Sequence, residues 1–177
     1  MFTAFGGHRT EDLARVFVKG THLGDPRPFA VLAAAVVALA LAAGGLRLAA
    51  LVAGVIVLAN LTSIALNVTV SVARVPFGDP ELWPSNHTTA VAAAGLCLPL
   101  IAWGRLQTPA AVLAFGMTAG IALMLVVRGT HLLSDVVAAQ LVAGFWAVLA
   151  AQSGRRLKID RGSSLITSMT QRRKPGT

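Results

Sequence analysis

Five stretches of this chain are long and nearly free of charge: about 29–43, 48–73, 87–103, 110–127 and 131–151. Several reach the roughly 17–25 residues that a helix needs to cross a bilayer. In lipid each backbone N–H and C=O must find a partner within the protein, which favours helices. The expected fold is therefore all-α: a polytopic membrane helical bundle of about five transmembrane helices. With 55% hydrophobic and 12% charged residues in 177, a soluble domain of this size has too little interior to hide its apolar surface.

Residues 1–28 form the polar N-terminal segment. Glu11 to Lys19 interleaves Leu13, Val16 and Phe17 with charges and reads as an interfacial amphipathic helix, with a partly ordered tail as the alternative. Met1 to Asp12 lacks the apolar core of a signal peptide. Residues 29–152 form the transmembrane domain, with Gly44-Gly45 turning the chain between the first two runs. Residues 153–177 form a basic tail.

The net charge of +8 sits mostly in short loops and this tail. That distribution fits anionic lipid headgroups and membrane topology rather than nucleic acid. Five crossings put the chain ends on opposite sides. The loops with Arg47 and Arg105 then share the cytoplasmic side with the tail, and the loops at 74–86 and 128–130 face outward, as does the N-terminal segment. Trp83 and Trp103 read as interface anchors. Cys97, the single cysteine, excludes an internal disulfide.

Polar residues inside this apolar background are costly in lipid and mark chemistry or glue. Asn60, Ser63, Asn67, Ser71 and Arg74 follow at steps of three, four, four and three, a stripe about 80° wide on a helix. Pro84-Ser85-Asn86-His87 has the form of a helix start. Ser85 or Asn86 can cap, the first-turn N–H groups attract an anion, and His87 can donate a proton; an ordinary cap with an interfacial His is the alternative. His131 and Asp135 stand four residues apart, which on a helix places them one turn apart. A carboxylate there can hold one imidazole nitrogen and leave the other as a nucleophile or base. Gly20-Thr21-His22-Leu23 echoes Gly129-Thr130-His131-Leu132. Asp25 follows among Gly24 and Pro26, no helical pair is expected, and the echo reads as chance. No His or Cys spacing suggests a metal site.

In this arrangement the chain resembles the type 2 phosphatidic acid phosphatase superfamily, whose fold is shared with vanadium haloperoxidases. That family carries Lys-x6-Arg-Pro, Pro-Ser-Gly-His and Ser-Arg-x5-His-x3-Asp in this order. Here the middle motif is Pro84-Ser85-Asn86-His87, the third keeps His131-x3-Asp135, and the first keeps Arg74 with Asn67 at the Lys position. Val75 stands for the Pro, and Leu125 for the third-motif Arg, with Arg128 three residues closer to His131. The family usually has six crossings, so the resemblance implies that this chain lacks the first.

The resemblance implies an integral-membrane phosphatase without metal or cofactor. His131 would be the nucleophile and form a phosphohistidine, Asp135 would orient it, and His87 would be the general acid. Arg74, Ser85, Asn86, Asn67 and Arg128 would form the phosphate site. The implied substrate is a lipid phosphate or diphosphate at the outer leaflet: polyprenyl diphosphate, phosphatidic acid or phosphatidylglycerol phosphate. Two competing readings are a non-catalytic relative that binds lipid phosphate or supports a membrane complex, and a small transporter.

Overall fold

The computed structural model describes residues 22–70, 83–127, 129 and 131–156. Arg74, Arg128, Ser71, the expected amphipathic helix and nearly all of the basic tail lie outside these residues. The described chain is helical, with no strand. It comprises a 3-10 turn (His22–Gly24), α1 (Pro26–Val70), α2 (Asn86–Leu96), α3 (Leu98–Ile101), a second 3-10 turn (Gly104–Leu106), α4 (Gln107–Val127) and α5 (Leu133–Arg156).

Helix α1 has 45 residues, about 68 Å if straight and more than twice the bilayer's hydrocarbon core. It is not straight. Gly44 (φ −147°, ψ 15°) and Gly45 (φ 70°, ψ −168°) leave the helical region. The two ends of α1 come back to adjacent residues: Asp25 lies 3.0 Å from His87, and Asn67 bonds Asn86 at 2.9 Å. The arms 26–43 and 46–70 are therefore an antiparallel hairpin, and the turn expected at Gly44-Gly45 is present. Gly45 needs a left-handed φ. A Cβ on Gly44 would lie 2.6 Å from Leu48 Cδ2, so both glycines are required for different reasons. Gly45→Ala should cost about 1–2 kcal/mol, read as a lowered thermal midpoint in detergent; an unchanged midpoint would contradict this turn geometry.

Three helices are long and apolar enough to cross a membrane: Pro26–Val70, Gly104–Val127 and Leu133–Arg155. The five separate runs expected from the sequence thus map differently. The first two are one folded helix, and the third, Asn86–Ile101, is shorter than this criterion and broken at Cys97, two residues before Pro99. The last run begins later and ends later than expected, at Leu133 and Arg156.

Helix α2 is the axis of the bundle. Every residue from 88 to 94 is buried, and Ala92, Ala93 and Ala94 are fully enclosed. It packs on α1, α4 and α5. Ala59 of α1 and Ala143 of α5 meet Ala92 and Ala93 in one cluster. Small residues let helix backbones approach closely where lipid supplies no hydrophobic drive. Large apolar side chains point outward instead, among them Val31, Leu61, Leu113, Leu123 and Leu141. Such a surface suits lipid and not water. Trp146 is partly buried, its Nε1–H donating to Thr62 Oγ1 at 3.0 Å.

Candidate functional site

The N-terminus of α2 gathers the polar residues of the bundle. Ser85 is the cap: its extended backbone (φ −62°, ψ 114°) leads into the helix, and its Oγ accepts from the Thr88 N–H at 3.4 Å. Its own N–H donates to the Asp135 carbonyl at 3.2 Å. That bond ties the start of α2 to the start of α5. The Trp83–Pro84 peptide before it is cis.

Across this joint Ser85 Oγ and His131 Nε2 lie 3.3 Å apart. His131 Nδ1 lies 3.7 Å from Asp135 Oδ2. This Nδ1 is buried without a hydrogen-bond partner among the described residues, so the imidazole is flanked by the carboxylate but not yet bonded to it. The sequence places both residues on one helical face. The structure instead puts His131 in the lead-in, because α5 begins at Leu133. Asp135 is in the first turn. Its Oδ2 accepts from the Leu132 N–H at 2.9 Å, and its Oδ1 accepts from Ser134 Oγ at 2.9 Å. Asp135 thus closes the helix start and is almost fully buried.

The polar stripe of α1 braces this cap. Asn67 Nδ2 donates to Asn86 Oδ1 at 2.9 Å, Pro84 O at 3.2 Å and Ser63 O at 2.9 Å. Ser63 Oγ donates to Asn86 Oδ1 at 2.8 Å. Thr89 Oγ1 reaches Ser63 Oγ at 3.2 Å and donates to Ser85 O at 2.9 Å. The Asn86 side-chain oxygen is therefore turned onto α1, and what Asn86 offers toward an anion is its backbone at the first turn. Asn60 takes no part, since it bonds back to Ile56 O at 2.7 Å. Leu125, where the resembled family has an arginine, packs with Val91 and Val136 in an apolar cluster.

His87 is also held by a carboxylate. Its Nε2 lies 3.0 Å from Asp25 Oδ1, and His22 Nδ1 lies 2.9 Å from Asp25 Oδ2. The His22–Asp25 pair does form, though the sequence reading dismissed it, because the 3-10 turn brings residues three apart together. The available signal was a His–Asp spacing of three just before a proline that starts a helix. The hydrogen bond from His22, and next that from His87, lowers the Asp25 pKa. Asp25 therefore stays ionised below the ordinary carboxylate range. The stability it contributes is present above the unfolded-state value and is lost as pH falls through its own lower one.

Compared with protein-family models, curated proteins and solved structures, the chain has no significant match.

The site is thus characterised by its own geometry. Two imidazoles, each beside a carboxylate, flank the start of one helix within residues 85–87 and 131–135. The first-turn N–H groups of α2 lack intrahelical acceptors and carry the positive end of the helix dipole. Such an arrangement can hold an anion, present a nitrogen lone pair at His131 Nε2 and supply a proton from His87. Among the described residues no three His, Cys, Asp or Glu side chains converge on one point as a metal site. Asp25 binds its two imidazoles through separate oxygens and so keeps them apart. A cavity of about 880 Å³ lies at the opposite end of the bundle, among Leu96, Gln107 and Arg155, away from these groups.

Proposed function

We propose that the protein is an integral-membrane phosphatase of the type 2 phosphatidic acid phosphatase kind, acting on a lipid phosphate or diphosphate. The observation that carries this reading is the 3.3 Å approach of Ser85 Oγ to His131 Nε2. It unites two motifs that lie 46 residues apart in the chain. The α1 hairpin, the α2–α3 unit, α4 and α5 supply five crossings in this reading. The site then opens at the outer face and the basic tail is cytoplasmic.

The phosphate lies against the first turn of α2, within reach of Ser85 Oγ. The His131 Nε2 lone pair forms a bond to phosphorus as the bond from phosphorus to the lipid oxygen breaks. His87 gives its proton to that oxygen, so the lipid leaves as an alcohol, or as a monophosphate when the substrate is a diphosphate. Water then gives a proton to His87 and attacks phosphorus. The N–P bond breaks, inorganic phosphate leaves and His131 is restored. Asp135 stabilises the charge that His131 gains. Positioning and electrostatics carry most of such a transfer. Arg74 and Arg128 would complete the oxyanion contacts.

One observation favours a second reading, a lipid-phosphate binder without turnover. Leu125 is buried and apolar where the resembled family places a phosphate ligand. The deciding experiment is phosphate release by the purified protein in detergent with EDTA. The panel holds polyprenyl diphosphate, phosphatidic acid and phosphatidylglycerol phosphate. EDTA-resistant release from one of them is expected. Saturable binding of a lipid on the panel with no release would establish the second reading.

A further inference from the structure

The turn before α1 is packed on His87 more closely than any side chain would allow. A Cβ on Gly24 would lie 2.7 Å from His87 Cβ and 2.8 Å from His87 Cα. This approach brings Asp25 Oδ1 to 3.0 Å from His87 Nε2. The other carboxylate oxygen is held by His22 at 2.9 Å, which fixes the carboxylate's rotation. The N-terminus of α2 therefore stands between two carboxylate–imidazole pairs: Asp135 with His131 on one side and Asp25 with His87 on the other. Nothing in the motifs that suggested the function includes residues 22–25.

We propose that Asp25 is a positioning residue for proton delivery. It holds the Nε2–H of His87 and leaves the Nδ1–H of the imidazolium as the proton passed to the leaving oxygen. This rests on the phosphatase reading and adds a residue to it. Gly24 is the companion requirement, since only a residue without a side chain lets the turn come close enough. A carboxylate on one imidazole nitrogen sets which nitrogen carries the working proton and orients the ring. Proton transfer from a positioned acid contributes on the order of 10²–10⁴-fold to a rate, and the share depends on the leaving group. An alkoxide leaving from a lipid phosphate needs the proton. A nitrophenolate is stable enough to leave without it.

The experiment compares wild type, Asp25→Asn, Asp25→Glu and Gly24→Ala in detergent. The substrates are a dialkylglycerol phosphate and p-nitrophenyl phosphate. Asp25→Asn and Gly24→Ala are expected to lower kcat/KM, which reads the step up to departure of the leaving group and not the later attack of water, by about tenfold or more on the lipid phosphate, with less than about a twofold change on p-nitrophenyl phosphate. Asp25→Glu should recover part of the loss. Equal losses of kcat/KM on both substrates, at an unchanged thermal midpoint, would mean that residues 24 and 25 act only structurally and would overturn the assignment while leaving the phosphatase reading intact. Asp25→Asn with wild-type rates on both would do the same. A wild-type protein that releases phosphate from neither substrate, nor from polyprenyl diphosphate or phosphatidylglycerol phosphate, would remove both readings together.

Discussion

His131→Ala is expected to lower EDTA-resistant phosphate release by at least about 10³-fold and to abolish covalent labelling of the protein. The labelling is the sharper measurement. A substrate carrying radioactive phosphate, quenched during turnover, should leave label that survives alkali and is lost in acid, as a phosphoramidate is. His131 Nε2 is the nitrogen that faces Ser85 Oγ at 3.3 Å, while Nδ1 faces Asp135 at 3.7 Å. The label should accordingly sit on Nε2, which peptide mass spectrometry with authentic phosphohistidine isomers can assign. Label on His87, or label retained by His131→Ala, would rule out the proposed nucleophile. The His131→Ala protein should keep a near-normal thermal midpoint, because both polar approaches of the ring are long, 3.3 Å to Ser85 Oγ and 3.7 Å to Asp135 Oδ2.

Asn67→Leu should have the largest effect on stability, about 1–3 kcal/mol. The substitution keeps the branching at Cγ and removes the amide that serves Pro84 O, Asn86 Oδ1 and Ser63 O. The bonds to Pro84 O and Ser63 O are buried, where water does not readily replace the lost donor. The cap carrying Ser85 would also loosen, so activity should fall with stability. Asn60→Leu is the control, since its amide donates to the preceding turn of its own helix and should cost less than about 0.5 kcal/mol. Thermal unfolding in detergent separates the two. Equal midpoints for both variants would show that the brace between α1 and α2 contributes nothing.

These contrasts also show what a sequence can and cannot convey here. Apolar runs and a Gly-Gly pair reveal a hairpin, because length and φ freedom are local properties. Ser85, His131 and Asp135 were visible as residues that lipid does not tolerate without cause. Their order along the chain suggested that they meet. The partner of His87 was not visible, because Asp25 lies 62 positions away and its turn is fixed by a Gly24 contact that exists only after folding. The same holds for Asn67. Its polar stripe suggested glue between helices for the serines and a polar cavity for the asparagines, and the bonds of Asn67 to the cap became visible only in the fold. The placement of His131 ahead of α5 was also hidden, since an i, i+4 spacing looks helical until the first turn is known to close on Leu132.

The alanines of α2 have a mechanical consequence. A methyl group has no rotamers, so the interior formed by Ala92, Ala93, Ala94 and Ala143 gains no side-chain freedom on heating and has no alternative packing to adopt. Any widening of the mouth between Ser85 and His131 must then come from whole helices sliding or tilting. The bundle would open as a hinge of rigid rods, and a single bulky residue set among those methyls would part Ser85 from His131 without changing any residue of the site.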